Sequence, residues 1–347
     1  MVTCSRLEII FKFQMYEEFK ACNSVNNQGL SVNSKKFNYE IVIPSLNSVA
    51  TIERSILSAL AQSIAPKRIT IHDNNSSDSS TEIVKKLVRK HRKLYLVEHN
   101  ERVNAMLSYK RSLENVVGRV LILAADDLLA PDAVKKLIQL SKCPNKNHSI
   151  VPQQVFFSES SFTRGANFAS IIQAKRSESK FLINPADNPF MYGLHDAQAL
   201  MKFFPAIEFY GWDLWVSYNM LKSNIVHFIP REVIYIRDFT KRSDYINPKK
   251  NLIGTFLPLL DLSKNIWKQN GASSKILLFE RLTFLNLHES LSLNGFKINQ
   301  TMINLGRKVL EVRVWSRKYR KLLFKEQSIC DLDERKRILA LTKITSR

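Results

Sequence analysis

From Tyr39 to Leu123 the chain alternates short apolar, β-branched runs with stretches whose apolar positions recur every three or four residues. Ile41-Val42-Ile43 is such a run, ended by Pro44, Ser45, Asn47 and Ser48, and reads as a buried strand entering a loop. Thr51 can cap a helix with Ile52, Ile56, Ala59 and Leu60 on one face; Pro66 closes it before a second strand at Arg68–His72. Asp78 or Ser80 can cap another helix with Ile83, Val84, Leu87 and Val88 inward, and strands follow at Leu94–Glu98 and Arg119–Leu123. This alternation predicts an α/β fold with a mainly parallel, Rossmann-like sheet flanked by helices.

Ligands of open α/β sheets bind beyond the carboxyl ends of the strands. Here those ends read Pro44-Ser45-Leu46-Asn47, Asp73-Asn74-Asn75 and Asp126-Asp127, so polar and acidic residues gather on one edge. After residue 150 the alternation weakens to apolar runs at Val151–Phe157 and Val226–Tyr235, and from Leu252 the patterning is mostly helical. Residues 1–37 read as an extra helix followed by a polar linker, Asn23–Lys36.

Composition narrows the function classes. The 52 Lys+Arg against 31 Asp+Glu give a net charge of +21, which attracts polyanions without choosing among them. Four cysteines with no CxxC pair suggest neither a disulfide framework nor a thiolate zinc site, so a reducing cytoplasm is the expected compartment. The cluster Ile9-Ile10-Phe11-Phe13 is broken by Lys12 and followed by Glu17 and Glu18; it lacks the uncharged core of a signal peptide or spanning helix. Any membrane contact is then peripheral. No GxGxxG or Walker A loop follows a strand, and the seven histidines are scattered, not spaced like ligands. No Ser-His-Asp or Cys-His set stands out as a covalent nucleophile.

The adjacent carboxylates of Asp126 and Asp127, after the apolar run Val120–Leu123, are placed to share a hard divalent cation. The alternative is that one of them caps a helix beginning near Pro131. The turn Asp73-Asn74-Asn75-Ser76-Ser77-Asp78 offers acceptors for a base or ribose edge, or else is a tight turn with a helix cap.

Taken in order and spacing, Val42-Ile43-Pro44-Ser45-Leu46-Asn47, then Asp73–Asp78, then Ala124-Ala125-Asp126-Asp127 resemble three successive signatures of the family 2 glycosyltransferases. The resemblance implies a GT-A fold with a helical C-terminal extension and an inverting sugar transfer from a nucleotide-sugar donor. It places Pro44, Ser45, Asn47, Asp73, Asn75, Asn104, Lys110 and Asp126 at the donor, with Asp126 and Asp127 on a divalent metal, Mn²⁺ or Mg²⁺. Asn104 and Lys110 belong to Asn100–Asn104 and Lys110-Arg111-Ser112, which lie where the family has an Asn-rich loop and a basic helix. Asn74 and Ala124 stand where the family has aspartates, and the usual glycine of the Asn-rich loop is missing.

Downstream, Met191–Leu194, Gly211-Trp212-Asp213-Leu214-Trp215 and Ile229–Arg237 resemble the acceptor half of some members, in which an aspartate opening the middle helix is the base. Asp213 holds that position, with Glu208 as a rival; alternatively Trp212, Leu214 and Trp215 are core or interface residues and Asp213 a helix N-terminal charge. The implied organisation is an N-terminal extension at 1–37, a catalytic domain at 38–240 (donor half 38–135, acceptor half 136–240) and a basic helical region at 241–347. In that last region Leu305–Arg347 reads as a basic amphipathic helix that packs on the domain or lies on an anionic membrane.

The acceptor implied is a glycan or lipid-linked hydroxyl, in bacterial surface polysaccharide synthesis in the cytoplasm or at the inner face of the plasma membrane. The contrasting expectation is a catalytically inactive basic protein of the same fold that binds nucleic acid or another polyanion. No nucleic-acid motif supports it, and no nucleic-acid partner is expected.

Overall fold

The computed structural model describes residues 37–141, 148–157, 162–164, 181–182, 190–238 and 259–270, with Leu282 and Asn286. The readings made for the N-terminal extension up to residue 36 and for Leu305–Arg347 lie outside the described residues.

Four strands, β1 (Tyr39–Ser45), β2 (Arg68–Asp73), β3 (Leu94–Glu98) and β4 (Arg119–Ile122), run parallel in the order β3-β2-β1-β4. The helices α1 (Ile52–Leu60), α2 (Ser80–Val88) and α3 (Ala105–Leu113) connect them, as the alternating pattern requires. Beyond β4 come β5 (Asp127–Leu129), α4 (Ala133–Ser141), β6 (Ser149–Phe157), β7 (Phe162–Arg164), β8 (Leu194–Asp196), α5 (Ala197–Met201), α6 (Trp212–Lys222) and β9 (Val226–Asp238). The sheet continues β4-β8-β6-β9-β5, with β7 on β6. β8 is antiparallel to both β4 and β6, and β5 to β9, so a parallel first half passes into a mixed second half.

The strand interiors are apolar because helices and loops cover both faces: Ile41, Val42, Ile43, Ile69, Ile71, Val120, Leu121 and Ile122 are all buried. One apolar cluster joins Val42 and Ile122 to Met106 of α3, Leu200 of α5 and Tyr218 of α6. Leu262 and Ile266 of α7 (Leu260–Gln269) enter the same cluster, so residues beyond 240 contribute to the core of the sheet domain.

Three local readings change. The buried face of α1 carries Ser55 and Ser58 beside Ile52, Ile56 and Ala59, while Leu60 is only half-buried. Thr51 precedes α1 without capping it, since its hydroxyl donates to the Ser48 carbonyl. Neither Asp126 nor Asp127 caps the next helix: Asp127 begins β5, paired with β9, and α4 starts at Ala133.

Candidate functional site

The loops after β1 and β2 are built as one unit. Ser45 and Asp73 are register partners at the ends of their strands, and the Asn74 N–H donates to the Ser45 carbonyl at 2.9 Å. Asn47 and Asn75 both adopt left-handed φ, 48° and 60°, a conformation asparagine tolerates better than most residues. The Asn47 N–H donates to Ser76 Oγ, and Asn47 Oδ1 accepts from the Ser77 N–H at 2.8 Å. Asp73 in turn accepts from the Ser76 N–H at 3.0 Å and the Ser76 hydroxyl at 2.5 Å. Asp78 accepts from the Val49 N–H and from the Ser80 N–H and hydroxyl, holding the start of α2 to the first loop. The turn is thus braced from within, and the bracing brings Asn47, Asp73 and Asn75 together. Pro44 and Ser45 are buried at its floor, and Ser45 Oγ has no hydrogen-bond partner among the described residues.

The third loop is tied to the second. The Asn74 side chain donates to the Val103 carbonyl at 2.7 Å and accepts from the Val103 N–H at 3.0 Å. Aspartate could accept but not donate, which accounts physically for an amide at this position. Asn75 reaches the Asn100 carbonyl at 3.4 Å. Asn104 caps α3 by accepting from the Leu107 N–H at 2.8 Å; Lys110 lies half-buried farther along the same helix.

The acidic pair sits on a turn fixed from below. The Asp127 N–H donates to the Ala124 carbonyl, so Ala124 serves the turn through its backbone. The Ser55 hydroxyl of α1 reaches the carbonyls of Ala125 and Asp127, both at 2.8 Å. Ser58 accepts from the Leu129 N–H, and Gln62 bonds the Ala130 carbonyl and the Val134 N–H. Ser55, Ser58 and Gln62 thus form a polar seam that satisfies the irregular backbone around the pair. Asp127 is 2% exposed, whereas Asp126 is half-buried. Burial, the hydroxyl of Tyr192 and the charges of Asp126 and Asp127 together push the Tyr109 phenol well above its ordinary range, which puts Tyr109 in the field of the acidic pair.

Tyr109 also leads to Asp213. Its ring meets that of Trp212 at 5.5 Å between centroids, and Phe204 stacks on Trp212 at 5.5 Å and 26°. Trp212 is thus a packing residue, as the structural alternative held, and Asp213 follows it, half-buried in the first turn of α6 where the helix dipole favours a carboxylate. Gly211 enters that helix at φ 85°, a conformation that suits glycine. Glu208 lies against the other end of the arrangement. Burial raises its pKa, with the Met106 backbone and the Asn104 side chain acting in the opposite sense. His72, a strand-end residue, is lowered to about 4 by burial and by the nearby His99 and Arg68.

The sequence reading missed Ser55 and Tyr109, and gave Ser76 and Tyr192 no role of their own within the motifs that contain them. Ser55, Ser58 and Gln62 carried a usable signal, since their three- and four-residue spacing matches the apolar stripe of α1. The tyrosines carried none, because what matters is a tertiary contact.

The model of the glycosyl transferase family 2 matches residues 40–208. The chain carries a family 2 glycosyltransferase domain. This glycosyltransferase is similar in fold to TarS from S. aureus, residues 1–349 in complex with UDP-GlcNAc, at a TM-score of 0.56 and 17% identity over 80% of this chain and 82% of that one. It is similar also to TarS 1–349 in a second crystal structure, at a TM-score of 0.51 and 15% identity over 89% of this chain and 81% of the other. No curated protein matches the chain by sequence. The glycosyltransferase is a transferase enzyme of α/β fold, and its family match ends at Glu208, just short of Asp213. No helix among the described residues is long and apolar enough to cross a membrane.

Proposed function

We propose that the enzyme transfers a sugar from a nucleotide-sugar donor to a hydroxyl of a glycan or lipid-linked acceptor with inversion, as one step of bacterial surface polysaccharide synthesis. The observation that carries this reading is the convergence of the stitched loops after β1 and β2 on one sheet edge with the acidic turn after β4. In this reading Pro44, Ser45, Asn47, Asp73 and Asn75 hold the nucleoside, and the orphaned Ser45 hydroxyl gains its partner from the donor. Asn104, Lys110 and Asp126 complete the donor site.

In this reading the more accessible Asp126, with the buried Asp127 beside it, would hold a Mn²⁺ or Mg²⁺ ion, since such ions are commonly held by one or two carboxylates together with substrate phosphates. When bound, the ion acts as a Lewis acid toward the leaving diphosphate. The half-buried Asp213 accepts the proton of the acceptor hydroxyl, whose oxygen bonds to the anomeric carbon as the bond to the diphosphate oxygen breaks on the opposite face. Such general-base assistance is worth typically ~10²–10⁴-fold. Work on a lipid-linked acceptor places the enzyme at the inner face of the plasma membrane.

The test is turnover. UDP-GlcNAc, GDP-mannose and dTDP-glucose are offered with Mn²⁺, nucleoside diphosphate release is followed, and the anomeric configuration of the product is read by NMR. Release with inverted configuration, lost in Asp213→Asn, supports the reading; retained configuration contradicts it.

A further inference from the structure

Residues 83–97 carry six Lys and Arg and no Asp or Glu. Lys85 is neutralised, by Glu98 at 2.9 Å and Glu82 at 3.7 Å. The other five, Lys86, Arg89, Lys90, Arg92 and Lys93, are exposed and enter no ion pair among the described residues. Val84 and Leu87 turn inward on α2, so Lys86, Arg89 and Lys90, three and four residues apart, stand together on its outer side. Arg92 and Lys93 carry the cluster through the turn into β3. One or two cations near the last turn complement the helix dipole, but five crowded together also repel one another.

Apolar surface adjoins this charge. β3 begins the sheet order, and its Tyr95 and Val97, two residues apart and so on one face, are 49% and 37% exposed, while Leu94 on the other face is buried. Cations beside an exposed tyrosine and an exposed aliphatic side chain suit a bilayer surface: the charged heads pair with lipid phosphates, tyrosine sits at headgroup level, and the aliphatic group leaves water. A nucleic acid would be met by the cations and Tyr95, leaving Val97 in water. The patch lies at the amino end of β3, whereas Asp73 ends β2 and Asn47 follows β1, so docking here leaves the donor edge uncovered.

We propose that Lys86, Arg89, Lys90, Arg92 and Lys93, with Tyr95 and Val97 beside them, dock the enzyme on an anionic lipid bilayer. The proposal rests on the sugar-transfer reading above only for the membrane setting.

The experiment sediments the full chain with sucrose-loaded vesicles of phosphatidylcholine, alone or with one third phosphatidylglycerol, at physiological ionic strength. The wild type binds the anionic vesicles and not the neutral ones. Each Lys or Arg near an anionic surface adds roughly fivefold to partitioning, so Lys90→Gln/Arg92→Gln/Lys93→Gln weakens binding on the order of a hundredfold. Lys202→Gln/Lys222→Gln/Lys268→Gln removes the same charge from exposed positions elsewhere and weakens binding less than about threefold, because screened long-range attraction is all that is lost. Tyr95→Ser/Val97→Ser weakens it severalfold at constant charge. Melting temperatures report folding, and if the patch triple variant does not fold, Lys93→Gln is read in its place at about fivefold. A wild type that ignores anionic vesicles overturns the proposal, and equal losses in the two triple variants make the attraction diffuse and overturn it too. So does unchanged binding in Tyr95→Ser/Val97→Ser, or tighter binding of the wild type to a short DNA duplex than to anionic vesicles at equal phosphate. Stabilisation by UDP or GDP with Mn²⁺ and hydrolysis of UDP-GlcNAc or GDP-mannose are the same in the wild type and the patch triple variant. A wild type that docks as described but shows neither contradicts the sugar-transfer reading and leaves the docking supported.

Discussion

The side-chain amide of Asn74 and the backbone of Val103 form a closed pair, with bonds of 2.7 and 3.0 Å that run in opposite directions. Asn74 is 2% exposed, so the pair is shielded from water. Asn74→Asp removes the donated bond and sets a carboxylate oxygen against the Val103 carbonyl. The expected cost is about 1–3 kcal/mol, the usual penalty for a buried group deprived of its partner. Urea unfolding checks it, and an unchanged midpoint would show that the pair is not maintained in solution.

Ser55→Ala removes the one hydroxyl that serves both the Ala125 and Asp127 carbonyls. Stability should fall by about 1–3 kcal/mol, and the acidic turn should loosen. Faster amide hydrogen exchange at residues 124–130, with the rates in β2 unchanged, is the expected signature.

These two contacts illustrate what was legible in the chain. Period and turn chemistry gave the strands through β4, the helices α1 and α2 and the loops that carry Asn47, Asp73 and Asp126, because a buried parallel strand ending in polar residues is a local pattern; α3 came only from the family resemblance. Asn74 and Ala124 read as departures from the family pattern; the partner that accounts for Asn74, the Val103 backbone, lies across a loop, and nothing in the structure explains alanine at 124. β5 escaped notice because three residues, Asp127–Leu129, form a strand only through pairing with β9, about a hundred residues later. Asp213 was preferred over Glu208 only through the family resemblance. The structure separates them by secondary structure, Glu208 lying in the segment before α6 and Asp213 in that helix's first turn.

Gly211→Ala forces a side chain into the left-handed region at φ 85°, and the new Cβ would meet Leu259 Cδ2 at 2.5 Å. The backbone term alone costs about 1–2 kcal/mol. Adding Leu259→Ala relieves the contact but not the φ, so the double variant should remain less stable than Leu259→Ala alone. Equal melting temperatures for those two would contradict the backbone argument.

Acid should destabilise the fold through its buried histidines. Burial, chiefly, lowers both His72 and His195 to about 4, with His99 and Arg68 contributing at His72 and Arg119 at His195. The native state thus binds fewer protons than the unfolded chain, whose histidines titrate near 6.5. Stability present at pH 7 is lost as pH falls from about 6.5 toward 4. The unfolding free energy of His72→Asn should fall less steeply over that window than that of the wild type; parallel curves would remove His72 from the account.

The central claim is that the edge formed by Asn47, Asp73 and Asp126 binds a nucleoside diphosphate with a divalent ion. Thermal unfolding with UDP, GDP, CMP and dTDP in turn, each with and without Mn²⁺, tests it most directly. A ligand at one hundred times its dissociation constant adds about 2.7 kcal/mol of stability. The account predicts that one nucleotide stabilises the protein only when Mn²⁺ is present, and that Asp126→Ala abolishes the effect. Stabilisation by none of them, or equal stabilisation with Asp126 removed, would contradict it.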